Sequence, residues 1–170
     1  MSTNMEYFDT YYSPLGELTL CCDGERLTAL FFTGQKYADK YLSPAAVRGS
    51  FPVLEETRRW LDAYFGGEHP GALPAMRLTG TPFQKCVWEL LSEIPYGKTT
   101  TYGALAKEAA QRLGKEKMSA QAVGGAVGRN PISILIPCHR VSGKDGSLTG
   151  YAGGVEKKEA LLKIEGIGNL

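Results

Sequence analysis

Histidine is scarce in this chain, and its cysteines are not spaced for metal. There are two histidines, His69 and His139, and four cysteines, Cys21, Cys22, Cys86 and Cys138, with no C-x-x-C pair. A structural zinc site needs four such ligands at short characteristic spacings. A zinc module is therefore excluded, and neither a metal nor another cofactor is expected. A disulfide framework is not indicated either. Cys21 and Cys22 are neighbours that would point to opposite faces of a strand, and the remaining two show no pairing pattern, so a reducing cytoplasm is the expected compartment. No apolar run approaches the roughly 18 residues of a membrane span. The segment Met1–Glu6 lacks the basic and apolar regions of a signal peptide. Internal repeats and low-complexity segments are missing. The Gly-rich stretch Gly150-Tyr151-Ala152-Gly153-Gly154 has neither the spacing nor the lysine of a phosphate-binding loop.

What remains is an ordinary globular composition. A length of 170 residues allows one full domain or two small ones, and the 43% hydrophobic and 22% charged fractions can bury a core. The net charge of +1 says little about partners, but its distribution says more. Residues 1–79 carry 7 Lys+Arg against 10 Asp+Glu, a balance of −3, and residues 80–170 carry 12 against 8, a balance of +4. A mildly basic second half suits a polyanion, though the asymmetry is weak.

The first part reads as strands. Glu6–Tyr12 is aromatic-rich, and Ser13-Pro14-Leu15-Gly16 is turn chemistry. Glu17–Cys22 alternates with Leu18, Leu20 and Cys22 on one face. After Asp23-Gly24, Arg26–Phe32 alternates with Leu27, Ala29 and Phe31 on one face. This predicts an antiparallel meander. Gly34–Ser50 reads as loop with a helical turn near Ala38–Leu42. Pro52 opens a helix whose Val53, Thr57, Trp60, Leu61 and Tyr64 recur at helical spacing until Gly66-Gly67. His69 falls in a polar loop, and Met76–Leu78 reads as a short strand. A boundary near Leu78–Thr81 divides a domain of residues 1–79 from one of residues 80–170.

The second part begins with a strong helix start. Thr81 is an N-cap, Pro82 stands at the first helical position and Gln84 completes a capping box. Phe83, Val87, Leu90, Leu91 and Ile94 form the apolar stripe, with Trp88 and a core Cys86 on or beside it, and Pro95-Tyr96-Gly97 ends the helix. Thr101 caps a helix from Tyr102 to about Leu113. After a polar connector, Ser119 caps a short one over Ala120–Val127. Two packed helices are the plain interpretation, and a helix-turn-helix is the other. Gly124-Gly125 inside a helix costs roughly 1 kcal/mol per Gly relative to Ala, which suggests that something approaches this helix closely. A last helix covers Val155–Glu165, anchored by Leu161, Leu162 and Ile164, with Gly166 as its cap.

Between these helices lies Asn130-Pro131-Ile132-Ser133-Ile134-Leu135-Ile136-Pro137-Cys138-His139-Arg140-Val141. Prolines bracket an apolar run and restrict the backbone on both sides. The run delivers a thiol beside an imidazole. A thiol becomes a strong nucleophile as the thiolate, which a nearby base or positive field promotes. Adjacency alone is equally compatible with a buried structural cysteine beside a surface histidine.

Taken together, these motifs resemble one family, the methylated-DNA–protein-cysteine methyltransferases that repair O6-alkylguanine. The resemblance rests on Thr81-Pro82-Phe83-Gln84 with Val87-Trp88, Ile94-Pro95-Tyr96-Gly97, and Thr101-Tyr102-Gly103 with Leu105-Ala106. It continues through Ala122-Val123-Gly124-Gly125-Ala126, Asn130-Pro131, Pro137-Cys138-His139-Arg140-Val141, Gly150-Tyr151 with Gly153-Gly154, and Lys158 with Leu161-Leu162 and Glu165-Gly166. It spans the second half and is looser in the first.

The resemblance implies an α+β protein. Its N-terminal part would be a ribonuclease-H-like small sheet plus helix, and its C-terminal part a winged-helix-like helix-turn-helix domain. It implies Cys138 as alkyl acceptor and His139 as the base that takes the thiol proton through a water. Glu165 would orient His139, Asn130 would fix the turn around the site, and Tyr102 would assist nucleotide rotation and proton transfer to the departing guanine. Val141, Tyr151 and Ala152-Gly153-Gly154 would line the guanine pocket, with Lys158 supporting Cys138. Gln121, Ala122, Gly124, Val127 and Arg140 would meet the DNA. The implied partner is double-stranded DNA carrying O6-alkylguanine, with a monomer as the default state.

The residue types fit that chemistry. A soft thiolate is the best side chain for attack on an alkyl carbon, a His–Glu pair can take its proton as in other nucleophile–base–orienter sets, and a tyrosine hydroxyl can protonate the departing base. The thioether product has nothing here to remove it, which means one turnover per molecule. A base inside a duplex must first be flipped out. Two departures stand out. Gln121 occupies the helix position where many members of the family carry an arginine, and the connector Arg112–Met118 is long, with Lys115 and Lys117 read as part of a neutral surface loop. Three rivals are a non-enzymatic lesion binder, which lacks the cysteine in proteins of that kind, a cysteine hydrolase, whose local signatures are missing, and a helix-turn-helix transcription factor.

Overall fold

The computed structural model describes residues 5–36, 38–144 and 151–167. Of the stretch Ser142–Ser147, which the sequence predicts as a turn, residues 145–147 lie outside these residues, as do Gly150 of the Gly-rich stretch and residues 1–4. Two compact units form. One contains Met1–Leu78 together with Pro131–Ser133, and the other contains Thr79–Asn130 and Ile134–Leu170.

The first unit is built on a four-stranded sheet. Strands β1 (Tyr7–Ser13), β2 (Gly16–Cys22) and β3 (Leu27–Phe32) form the antiparallel meander that the turn chemistry predicts. The register pairs Leu18 with Phe32 and Leu20 with Leu30 on one face, and Thr19 with Phe31 and Cys21 with Ala29 on the other. Both faces are buried, so alternation alone understates the burial. Phe8, Ala38, Tyr41 and Leu42 pack against Cys21, Ala29 and Phe31. The loop expected over Gly34–Ser50 also holds strand β4 (Val47–Arg48), which runs parallel to β1 and completes the order β3-β2-β1-β4. Two residues carry too little periodicity to be seen in a sequence.

Helix α1 (Pro52–Phe65) starts on its proline and buries Val53, Leu54, Thr57, Trp60, Leu61 and Tyr64. Trp60 and Tyr64 stack at 5.5 Å. Along β3, Leu27 meets Met76 and Leu30 meets Ile132, each in a single parallel bridge. The strand expected at Met76–Leu78 is reduced to that one bridge. The backbone of Leu30 accepts from Ser133 and donates to Pro131, both at 2.8 Å, so this short piece of the Cys138-bearing segment is edge-paired in the first unit.

The second unit is helical. Helix α2 (Pro82–Ser92) has the full capping box, with Thr81 Oγ1 accepting from Gln84 N at 3.0 Å and Gln84 Oε1 accepting from Thr81 N at 3.1 Å. Strand β5 (Thr100–Thr101) leads into α3 (Tyr102–Arg112), and Ser119 caps α4 (Ala120–Gly128). Each cap satisfies an orphan backbone donor and is worth roughly 0.5–2 kcal/mol. The three helices pack on one another. Trp88, rather than half-buried Phe83, takes the central place on α2, and Cys86 is only partly buried. Arg112 bridges Glu89 at 3.0 Å and Glu93 at 2.6 Å, which ties the end of α3 to α2 at the surface.

Strand β6 (Val141–Ser142) pairs with β5, Thr100 opposite Val141 and Thr101 opposite Ser142. Helix α5 (Val155–Ile164) ends in a Schellman turn. Gly166, at φ +84°, donates to Lys163 O, and Ile167 donates to Leu162 O. That geometry needs the left-handed conformation that glycine adopts freely, and it leaves Glu165 at the helix cap. Among the described residues no helix is long and apolar enough to cross a membrane.

Candidate active site

Cys138, His139 and Arg140 form one 3-10 turn between Pro137 and β6. The pairing of β6 with β5 holds that turn beside the start of α3, where Tyr102 stands. Every residue from Pro131 to Val141 is buried. Before the turn the chain bends through Ser133–Leu135, with Ile134 at φ +71°. A β-branched residue in that region is strained, and Ile134 is nevertheless fully buried. Asn130 braces the bend, its Nδ2–H donating to Ile136 O at 2.7 Å.

Behind the cysteine lies a line of charged and polar groups. Glu165 Oε2 meets His139 Nε2 at 2.5 Å. Glu165 Oε1 accepts from Arg140 Nε at 2.8 Å and from the backbone N–H of Gly97 at 3.0 Å. Arg140 Nη1 donates to Ile94 O at 2.7 Å, and its guanidinium lies 5.7 Å from the Tyr96 ring centre. With the carboxylate on Nε2, the histidine proton sits on that nitrogen and Nδ1 carries the lone pair.

Electrostatics at the site favour uncharged groups at rest. Burial pushes the Cys138 thiol above its ordinary range, against a hydrogen bond from the Asn130 side chain and the charge of Lys158. Burial likewise holds His139 below its ordinary range. Glu165 works in the opposite sense, and the Arg140 and Lys158 charges add to the lowering. Lys158 is fully buried, its Nζ lies 6.0 Å from the Tyr102 ring centre, and burial lowers its pKa. The Tyr102 hydroxyl is held in its protonated form by burial and by the nearby Cys138. A protonated thiol, a neutral imidazole and a protonated phenol are the forms a nucleophile–base–acid set needs before reaction. No group of three or more His, Cys, Asp or Glu side chains among the described residues is placed to hold a metal ion.

The structure brings Cys138, His139, Glu165, Asn130, Tyr102, Lys158, Val141 and Tyr151 into the second unit, with all but Tyr102 buried. Gly153 is half-buried and Gly154, at φ +103°, is exposed. On α4, Gln121, Ala122 and Gly125 are exposed and Gly124 is half-buried. Two expectations are corrected. Val127 is 3% exposed and packs inward, because it lies one turn from Val123 on the apolar side of α4. Arg140 does not face outward for DNA. It is 7% exposed, and its guanidinium is taken up by Glu165 and Ile94 O. Ile94, Tyr96 and Gly97 belong to a motif of the resemblance, but the sequence assigns none of them a place at the site. The signal that could have found them is the tight Pro95-Tyr96-Gly97 turn, whose glycine stands at φ +78°.

A β-carbon at Gly125 would meet nothing within 4 Å, and one at Gly124 would make only ordinary contact with the Tyr102 ring at 3.8 Å. The protein's own packing therefore does not require either glycine.

Comparison with known proteins agrees in both units. The family model described as 6-O-methylguanine DNA methyltransferase, DNA binding domain, matches residues 82–167. The model of the ribonuclease-like domain of the same enzymes matches residues 7–72. A methylated-DNA–protein-cysteine methyltransferase of Methanosarcina acetivorans is 45% identical over 94% of this chain and 98% of its own length. One from Haemophilus influenzae is 42% identical over 95% and 87%. Among solved structures, the crystal structure of Mycobacterium tuberculosis OGT in complex with DNA superposes with a TM-score of 0.81 at 40% identity, covering 94% of this chain and 92% of that one.

Proposed function

The chain belongs to the methylated-DNA–protein-cysteine methyltransferase family, and from that premise we propose that it removes the alkyl group of O6-alkylguanine in DNA onto its own Cys138. The observation that carries the assignment of residues is the 2.5 Å contact of Glu165 with His139, which follows Cys138 in one buried turn. A lesion base flipped from the duplex presents its alkyl carbon to Sγ. The thiol proton passes through a water to the lone pair of His139 Nδ1, with Glu165 holding the opposite ring nitrogen. The Sγ–C bond forms as the C–O6 bond breaks, and the electron pair leaves with the guanine. That base takes a proton from the Tyr102 hydroxyl, and the proton on His139 restores Tyr102 in turn. The balance is one thiol and one O6-alkylguanine giving one thioether and one guanine. Nothing in the site reverses a thioether, so each molecule acts once.

The exposed side of α4 is the face proposed for the duplex. Gly125 there has open space, and Gln121 is the residue positioned to fill the gap left by a flipped base. Val141, Tyr151, Gly153 and Gly154 line the pocket for that base in this reading, and Lys158 supports the Cys138 thiolate as it forms. The protein works as a monomer on double-stranded DNA. Its four free cysteines suit the reducing cytoplasm.

The test is mass spectrometry after incubation with an O6-methylguanine duplex. The expected result is a gain of about 14 Da on Cys138, one CH2 by stoichiometry of the S-alkylation, absent in Cys138→Ala. Tight binding of the lesion duplex with Cys138 unmodified would instead make the protein a non-enzymatic lesion binder.

A further inference from the structure

Arg140 follows the Cys-His pair immediately, yet it points away from any surface. Its Nε donates to Glu165 Oε1 at 2.8 Å and its Nη1 to Ile94 O at 2.7 Å. Gly97 N donates to the same Oε1 at 3.0 Å. The ring centre of Tyr96, between them in the chain, lies 5.7 Å from the guanidinium, and its hydroxyl donates to Ile164 O on α5 at 3.4 Å. The turn Ile94–Gly97 thus grips both Arg140 and the cap of α5. One carboxylate oxygen accepts from two donors, and the other meets His139 Nε2.

We propose that Arg140 is a positioning residue for alkyl transfer, which with the Ile94–Gly97 turn fixes Glu165 so that its Oε2 holds the Nε2–H tautomer of His139. The inference rests on the assignment of Cys138 and His139 as nucleophile and base. Arg140 touches neither substrate nor sulfur and acts through Glu165. A buried Arg–carboxylate pair contributes little net stability compared with an apolar replacement, whereas a planar fork fixes direction. Lysine, a point charge on a flexible stem, keeps the charge and loses the fork. The charged and titratable groups facing His139 are Glu165, Arg140 and Lys158, with Cys138 preceding it in the chain. Removing the Arg140 charge takes away one of the influences that keep His139 neutral.

The experiment is single-turnover transfer from an O6-methylguanine duplex, followed from pH 5 to 9, with the duplex affinity measured separately. General-base help is worth roughly 10²–10⁴-fold. Arg140→Gln is expected to slow transfer by about tenfold to a hundredfold, a partial loss of that help, and to move the acid limb to higher pH. Duplex affinity should stay within about threefold, and Arg140→Lys should fall between the two proteins in rate. Because a lone buried carboxylate can prevent folding, the double variant Arg140→Gln with Glu165→Gln removes both charges. It should transfer no more slowly than Glu165→Gln alone, the non-additivity of residues that act in series. A further slowing in the double variant, an unchanged pH profile in Arg140→Gln, or a loss of duplex affinity in place of rate overturns the proposal. A native protein that forms no adduct overturns the functional reading as well, whereas normal native transfer with an indifferent Arg140→Gln overturns the positioning role alone.

Discussion

Trp88 on α2 donates its indole N–H to the carbonyl oxygen of Ala126 on α4 at 2.9 Å. This bond anchors the exposed helix that carries Gln121 and Gly125 onto the core of the second unit. Its acceptor lies near the end of α4, so the bond fixes the helix as well as filling the interior. Trp88→Phe keeps most of the apolar area and removes this donor, while Ala126 O keeps its bond from Arg129 N at 3.2 Å. A loss of about 0.5–1.5 kcal/mol in stability is expected, read as a lower denaturation midpoint in urea at unchanged slope. An unaltered midpoint would show that the bond contributes nothing to holding α4.

Gly125 should separate folding from DNA binding. No neighbouring atom lies within 4 Å of a β-carbon built there, and alanine in a helix interior is favoured over glycine by up to about 1 kcal/mol. Gly125→Ala is therefore expected to raise the melting temperature by a few degrees, on the order of 1 kcal/mol, while weakening affinity for a lesion duplex. Calorimetry and fluorescence anisotropy on one preparation measure both. If affinity is retained along with the stability gain, the close approach of DNA to this helix is the part that fails.

Gln121 makes a second claim about the same exposed face. Glutamine can hydrogen-bond an orphaned base without bringing a charge. Gln121→Arg adds a cation next to the phosphates, and each neutralised phosphate steepens the dependence of log affinity on log salt by roughly 0.9. The variant should bind more tightly at low salt, with a slope steeper by up to about that amount. Identical affinity and slope in the two proteins would place Gln121 away from the DNA.

His139 makes stability depend on pH in a definite direction. Burial holds its folded-state pKa below the ordinary histidine value of about 6.5. As the pH falls below that value, the unfolded chain binds a proton that the folded chain refuses, so stability is present above it and declines toward the lower folded-state pKa. His139→Gln should flatten the stability profile between about pH 6.5 and 5, as measured by urea titrations at several pH values. A decline of equal steepness in the variant would assign it to other groups.

Much of this molecule follows from local chemistry. Thr81, Pro82 and Gln84 make a capping box wherever the chain places them, because the donors they satisfy belong to the same helix turn. The meander follows from turn residues between alternating strands, and Gly166 ends α5 for a reason contained within six residues. The block proposed as acceptor stands out in the sequence because Pro137, Cys138 and His139 are contiguous. Other features had no local cause. Strands β4, β5 and β6 are two residues each, and their pairing comes from neighbours distant in sequence. The burial of both faces of β2 was invisible to a two-residue period, since covered strands need not alternate.

The sequence by itself determined the helix caps, the meander and the family, because each depends on residue types at short range. Only the tertiary structure decided where Arg140 points. An arginine after a cysteine and a histidine suits a phosphate as well as a carboxylate, and the choice fell to Glu165, brought from 25 residues away by the cap of α5, and Ile94, 46 residues away at the end of α2. A buried guanidinium needs partners to offset its desolvation, and those partners exist only after the chain has folded.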